Sequence, residues 1–186
     1  MNNIKTFENF NNQDIFTYIK DDDIESIKNY IESGYDLNIQ NINGYTPLSY
    51  ATIYGRIESV KLLLNAGADI NIQDSNISLL YAVIINRIEI VKLLLNTGIY
   101  IDKQDKYGNT ALIYAASNNN CEMLELLLDY GADEFILNDE NKSFYYYLNN
   151  KNKQYFTQKY PTSVYNAISH NYKKSFTEFI KDYNIE

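Results

Sequence analysis

The chain has 186 residues, 45% of them hydrophobic, and a formal net charge of −8. That length suits one ordinary domain or a short repeat array, and the apolar content is too high for a disordered tail. The acid excess sits in residues 1–150, with 10 Lys/Arg against 21 Asp/Glu, while residues 151–186 hold 6 against 3; an acidic body does not suit a phosphate backbone, so no nucleic-acid partner is expected.

Residues 1–13 are polar and read as a flexible lead-in. Asp14 can cap a short helix over 15–20. Asp21-Asp22-Asp23 forms a turn whose last residue stands before a second helix over 24–31, where acidic side chains favour the positive helix start. Gly34 ends that helix and lies 33 residues before Gly67. The next stretch, 41–73, is the clearest in the chain. Gly44 permits a turn, Thr46 can cap a helix, and Pro47 fits its first turn, where no backbone donor is needed. Leu48 and Ala51 share one face. Gly55 turns the chain into a second helix that places Ile57, Val60, Leu63 and Leu64 inward, and Gly67 stops it. The equivalent positions Leu62, Leu93 and Leu126, 31 and 33 apart, are expected to form a buried ladder.

The unit over 74–104 is two residues shorter than its neighbours, and the loss falls at Asp74-Ser75-Asn76. Asn86 replaces the turn glycine, which asparagine tolerates. The unit over 105–137 restores the pattern with Gly108, Thr110 and Ala115, and Asn118-Asn119-Asn120 forms its turn. Residues 138–160 are degenerate. Phe144-Tyr145-Tyr146-Tyr147 is bulky where the other units are small, as a terminal cap requires, and Asn149–Tyr160 should be the second helix of that cap. A helical pair is expected over 161–186, with helices at 164–170 and 173–183.

Self-similarity at this period marks a repeat architecture. The blocks Gly44-x-Thr46-Pro47-Leu48-x-x-Ala51, Val60-Lys61-Leu62-Leu63-Leu64 and Gly67-Ala68-Asp69-Ile70-Asn71 resemble an ankyrin repeat, and they recur in order. The resemblance covers about 14–150 and implies an all-α repeat solenoid: helix-turn-helix units with β-hairpin loops, closed by a C-terminal helical cap. It also implies a protein that binds a protein partner and has no chemistry of its own.

Motifs for chemistry are missing. The sequence has no glycine-rich dinucleotide or phosphate loop, so no cofactor is expected. His170 is the sole histidine, and no partner for it is apparent. Cys121 reads as a small buried structural residue. Asp21-Asp22-Asp23 lacks the glycine of a calcium loop, since Ser26 stands at its sixth place, so no metal site is expected. A single cysteine excludes an intramolecular disulfide and fits a reducing compartment. The first residues lack the order of a secretory signal, and the longest apolar run, 77–85, is far below the ~20 residues that span a bilayer. A cytoplasmic monomer with no membrane partner is the expectation.

In the ankyrin family, partners lie against the hairpin tips and the concave face made by the first helices. By position, the resemblance implies contact residues Ile42, Asn43, Tyr45, Ile53 and Tyr54 in the full repeat, and Asn76, Ile84 and Ile85 in the short one. In the next repeat they are Lys106, Tyr107, Asn109, Ser117 and Asn118. Tyr165, Tyr172 and Phe176 offer a second surface in the C-terminal pair. Two other readings stand beside this one: a structural protein that self-associates through the C-terminal helices, and an effector or immunity-type protein with activity in that region.

Overall fold

The computed structural model describes residues 14–72 and 76–160, with the side chains of residues 76 and 77 outside that description. The described residues form ten helices and no strand. They fall in two compact units, Met1–Ala82 and Val83–Glu186.

The first unit holds α1 (Asp14–Asp21), α2 (Ile24–Glu32), α3 (Pro47–Ile53) and α4 (Ile57–Asn65), and α5 (Asn76–Ile84) starts within it. The second unit holds α6 (Ile88–Leu95), α7 (Ala111–Ser117), α8 (Cys121–Asp129), α9 (Phe144–Tyr147) and α10 (Asn150–Lys159). The helices alternate between the first and the second helix of each repeat, as the periodicity predicts.

Capping explains where the helices begin. Asp23 accepts a hydrogen bond from the Ser26 N–H at the start of α2. Thr46 accepts from the Ser49 N–H, Thr110 from Ile113, Asn120 from Met123 and Asn149 from Asn152. Each bond satisfies one of the donors that a helix start leaves unpaired. Between helices the chain takes the left-handed conformation at Asp22, Gly55, Asn86 and Asn119, with φ of 60°, 67°, 57° and 51°. The turn asparagines therefore substitute for glycine, as expected.

The inward residues correct one expectation. Leu62, Leu93 and Leu126 are only half-buried. The buried leucines are one residue further along, at Leu63 in the first unit and at Leu94 and Leu127 in the second, as are Val60, Val91 and Leu124. Residues three apart share a helix face, whereas Leu62 lies two residues, about 200°, from Val60. Ile57 and Leu64 are half-buried as well, so the inward stripe is narrower than the sequence suggested. Ala51, Ala82 and Ala115 are fully buried at the small positions of the first helices.

The bulky run Phe144–Tyr147 is buried only in part, since Tyr146 is exposed and Tyr147 half-buried. Phe144, Tyr145, Leu148 and Phe156 are buried. α9 is only four residues long because Leu148 is extended, with ψ of 139°, which redirects the chain into α10. α10 is tied to α8: Lys159 Nζ lies 2.8 Å from Glu125 Oε1, and the Tyr155 hydroxyl also donates to that carboxylate. The lysine bond, then the tyrosine bond, hold the Glu125 carboxyl below its usual range. The expected helical pair at 161–186 lies outside the described residues, as do His170, Tyr165, Tyr172 and Phe176.

Candidate partner-binding surface

The described loops that lead into α3, α7 and α9 share one construction. In the first unit, Asn41 N–H donates to the Tyr45 carbonyl at 3.0 Å and Gly44 N–H to the Asn41 carbonyl at 2.9 Å. The Asn41 side-chain oxygen accepts from the N–H groups of Asn43 and Tyr45. In the second unit the same four bonds recur around Asp105 and again around Asn138. One polar side chain thus organises each tip locally, without the longer ladder that a strand needs. Gly108, at φ +74°, does more than turn. A Cβ there would lie 2.7 Å from the Asp139 nitrogen, because Asp139 N–H donates to the Tyr107 carbonyl at 3.1 Å. Successive tips in this unit are therefore bonded backbone to backbone.

The loops after the second helices repeat as well. Asp36, Asp69 and Asp133 each accept from an N–H two residues ahead. Asn38 accepts from the Asp69 N–H, and in the second unit Asp102 accepts from the Asp133 N–H, at 2.8 Å and 2.9 Å. Asp102 thus carries a charge where Asn38 is neutral. Burial, then the carboxylates of Asp133 and Glu134, push its carboxyl up against the lowering effect of the Asp133 N–H bond.

On the first unit, Ile42 is 92% exposed at its tip and Tyr54 41% exposed at the end of α3. Asn43 is exposed, while Tyr45 and Ile53 are half-buried. Tyr45 is held by Tyr81: their rings meet edge to face at 6.4 Å and their hydroxyls lie 3.5 Å apart. Asn76 opens α5, and its side chain lies outside the described residues.

On the second unit, Ile84 and Ile85 are exposed, as are Ser117 and Asn118. Asn118 Nδ2 donates to the Ile84 carbonyl at 3.4 Å, which brings those two predicted residues together. Tyr107 is 57% exposed with the Lys106 ammonium 5.0 Å from its ring centre. Asn109 is half-buried and accepts from Asn138 Nδ2 at 2.9 Å, so its side chain joins two tips.

Sequence reasoning missed a set of tyrosines on the first helices. Tyr50, Tyr81, Tyr114 and Tyr147 are spaced 31, 33 and 33 apart, and all are half-buried. Each hydroxyl lies within hydrogen-bonding distance of another polar group: Tyr50 with Tyr54, Tyr81 with Tyr45, Tyr114 with Asp105, and Tyr147 with Asn138. The spacing was a readable signal, but it is hidden among 19 tyrosines. The bond to Tyr54, then burial, push the Tyr50 hydroxyl up to about 12.

Chemistry is sparse. Among the described residues no group of three or more His, Cys, Asp or Glu could hold a metal. Cys121 is half-buried at the start of α8, more exposed than the expected buried cysteine because it sits at the first helical position. A groove of about 300 Å³ lies in the second unit, lined by Tyr145, Asn150, Lys153, Gln154 and Thr157.

Comparison with protein families decides what this arrangement is. A model described as ankyrin repeats in three copies matches residues 67–139, and an ankyrin repeat model matches residues 43–75. The chain belongs to the ankyrin-repeat family. Ankyrin repeats are generally protein–protein interaction modules and are typically non-enzymatic scaffolds. No curated protein matches the chain. Among the described residues of this ankyrin protein, no helix is long and apolar enough to cross a membrane.

Proposed function

We propose that this ankyrin protein is a non-enzymatic module that docks a protein partner on the first-helix faces and hairpin tips of its repeats. The observation that carries this reading is the exposure of large apolar side chains at those places: Ile42 and Tyr54 on the first unit, Ile84, Ile85 and Tyr107 on the second. Aromatic residues with apolar neighbours are enriched at the centres of interfaces. The rigid tips support it too, since a bonded backbone presents its side chains with little entropy left to lose. The contact set is Ile42, Asn43, Tyr45, Ile53, Tyr54, Asn76, Ile84, Ile85, Lys106, Tyr107, Asn109, Ser117 and Asn118. Within it Tyr45 and Asn109 act chiefly by holding their neighbours, given their bonds to Tyr81 and Asn138.

The repeat array is assigned to 14–150 with the cap helix beyond it, between a lead-in at 1–13 and a helical pair at 161–186. The protein works as a monomer in the cytoplasm, consistent with its single cysteine. Affinity capture from the native cell extract tests the reading, using wild type beside Tyr45→Ala, Tyr107→Ala and the double variant. A protein held by wild type and lost by the double variant is the expected result, and the single variants assign the loss to one unit or to both. A protein held equally by all four would move the surface elsewhere. Capture of nothing, together with a dimer in light scattering, would favour self-association.

A further inference from the structure

We infer that the first-helix face of the first unit takes a basic peptide segment, seating an arginine or lysine against the Tyr50 and Tyr54 rings beside the Asp21 carboxylate. This deepens the docking reading above and rests on it.

α1 and α3 bring three aromatic rings together. Phe16 meets Tyr50 edge to face at 5.4 Å, and Tyr50 and Tyr54 lie 4.7 Å apart with hydroxyls 3.3 Å apart. An aromatic face is electrostatically negative and attracts a cation. In the second unit the chain covers such faces itself, with lysines over Tyr107, Tyr145, Tyr146, Tyr155 and Tyr160. Among the described residues, no lysine or arginine lies over Tyr50 or Tyr54.

The charge beside these rings has the complementary sign. Asp21 ends α1 at the position that Tyr54 occupies one repeat later, and α1 packs on α3 through the Phe16–Tyr50 ring contact. Its turn carries Asp21, Asp22 and Asp23 against Lys20 and Arg56. The Arg56 guanidinium is engaged already, 3.5 Å from Asp22 and donating to the Lys20 carbonyl at 2.5 Å. Asp23 accepts from Ser26 through both oxygens. Asp21 is exposed and makes no ion pair among the described residues. Residues 14–72 as a whole hold nine Asp/Glu and four Lys/Arg. An acidic or phosphorylated partner would meet this charge unfavourably, and an apolar one would leave Asp21 uncompensated. A guanidinium satisfies both components, stacking on a ring while donating to a carboxylate.

The test is titration of a labelled hexa-arginine peptide into the full chain, with hexa-citrulline as its uncharged counterpart. Hexa-arginine should bind at least about tenfold tighter. Asp21→Asn should weaken it about fivefold, the upper range for an exposed charge pair. Tyr54→Ala should weaken it about two- to fivefold, and Tyr54→Phe, which keeps the ring, by less than about twofold. Glu58→Gln removes the same charge from exposed α4 and should leave affinity unchanged. Melts followed by circular dichroism check that the exposed substitutions leave the fold intact. Equal losses in Asp21→Asn and Glu58→Gln would reduce the effect to diffuse attraction and overturn the site. Citrulline binding as tightly as arginine would assign the face to a neutral segment, and a Tyr54-dependent dimer in sedimentation would assign it to a second copy; either overturns the basic partner. Absence of hexa-arginine binding overturns it too, while the docking reading is judged separately by the capture with Tyr45→Ala and Tyr107→Ala.

Discussion

The two units share a repeat and differ in what surrounds their aromatic residues. In the second unit Lys106, Lys142, Lys153 and Lys159 lie over tyrosine rings, and Lys159 also bonds Glu125. In the first unit, among the described residues, the Tyr50–Tyr54 pair has a tyrosine hydrogen bond instead, and no lysine lies over either ring. The second unit therefore covers tyrosine faces with its own lysines, at positions other than those equivalent to Tyr50 and Tyr54, while the first unit sets its aromatic pair among residues with an acid excess. Repeat positions that point inward are constrained by packing, whereas positions that point outward are free to differ. That freedom is where a binding module acquires specificity.

The comparison can be broken first at the cap. Phe156 is the fully buried side chain of α10, so Phe156→Ala should cost about 3–5 kcal/mol in urea melts of the chain. A cost below about 1 kcal/mol would mean that α10 does not close the second unit. Next are the buried leucines. Leu94→Ala should cost about 2–5 kcal/mol, and Leu93→Ala, at a half-buried position, clearly less. The reverse order would restore the ladder at Leu62, Leu93 and Leu126 and contradict the packing described above.

The glycines sharpen the contrast between the units. Gly67 has φ of +86° and open space around its missing Cβ, so Gly67→Ala should cost about 1–2 kcal/mol from conformation alone. Gly108→Ala bears the same conformational cost and must also move the Asp139 backbone, for a total of at least about 2 kcal/mol. Equal losses would show that the tips of the second unit separate easily.

The smallest expected effect is at Asp102. Its carboxyl is pushed above the usual range mainly by burial, so its ionised form destabilises the folded second unit. The destabilisation is absent below the ordinary aspartate range, where the acid is protonated both folded and unfolded, and grows as pH rises through the folded-state value. Asp102→Asn keeps an acceptor for the Asp133 N–H, as Asn38 does for Asp69. It should therefore stabilise the chain by about 0.5 kcal/mol at pH 7, the scale of a partly exposed charge interaction. The gain should disappear as pH falls through the aspartate range, and a gain that persists in acid would remove charge as its cause.

Much of the fold was legible because its signals are local. Thr46, Pro47, Gly67 and Asn86 declare helix starts, stops and turns through their own backbone chemistry, and the period of 31 to 33 residues declared the repeat. Leu63 was legible from its spacing of three from Val60, whereas the ladder read at Leu62, Leu93 and Leu126 was one residue out of phase with that spacing. The candidate surface divided in the same way. Ile42, Tyr54 and Tyr107 were found by position in the repeat and are exposed. Tyr45 and Asn109 were found by the same rule, yet their side chains bond to Tyr81 and Asn138, residues 36 and 29 positions away.

The sequence by itself determined the repeat, the caps, the turns and the acidic balance, because each depends on a few neighbouring residues or on composition. Only the tertiary structure decided that Gly108 faces the next tip and that the Tyr45 and Asn109 side chains meet Tyr81 and Asn138. Those outcomes depend on pairs about thirty residues apart, brought together by stacking, and no local pattern encodes which partner a side chain meets there.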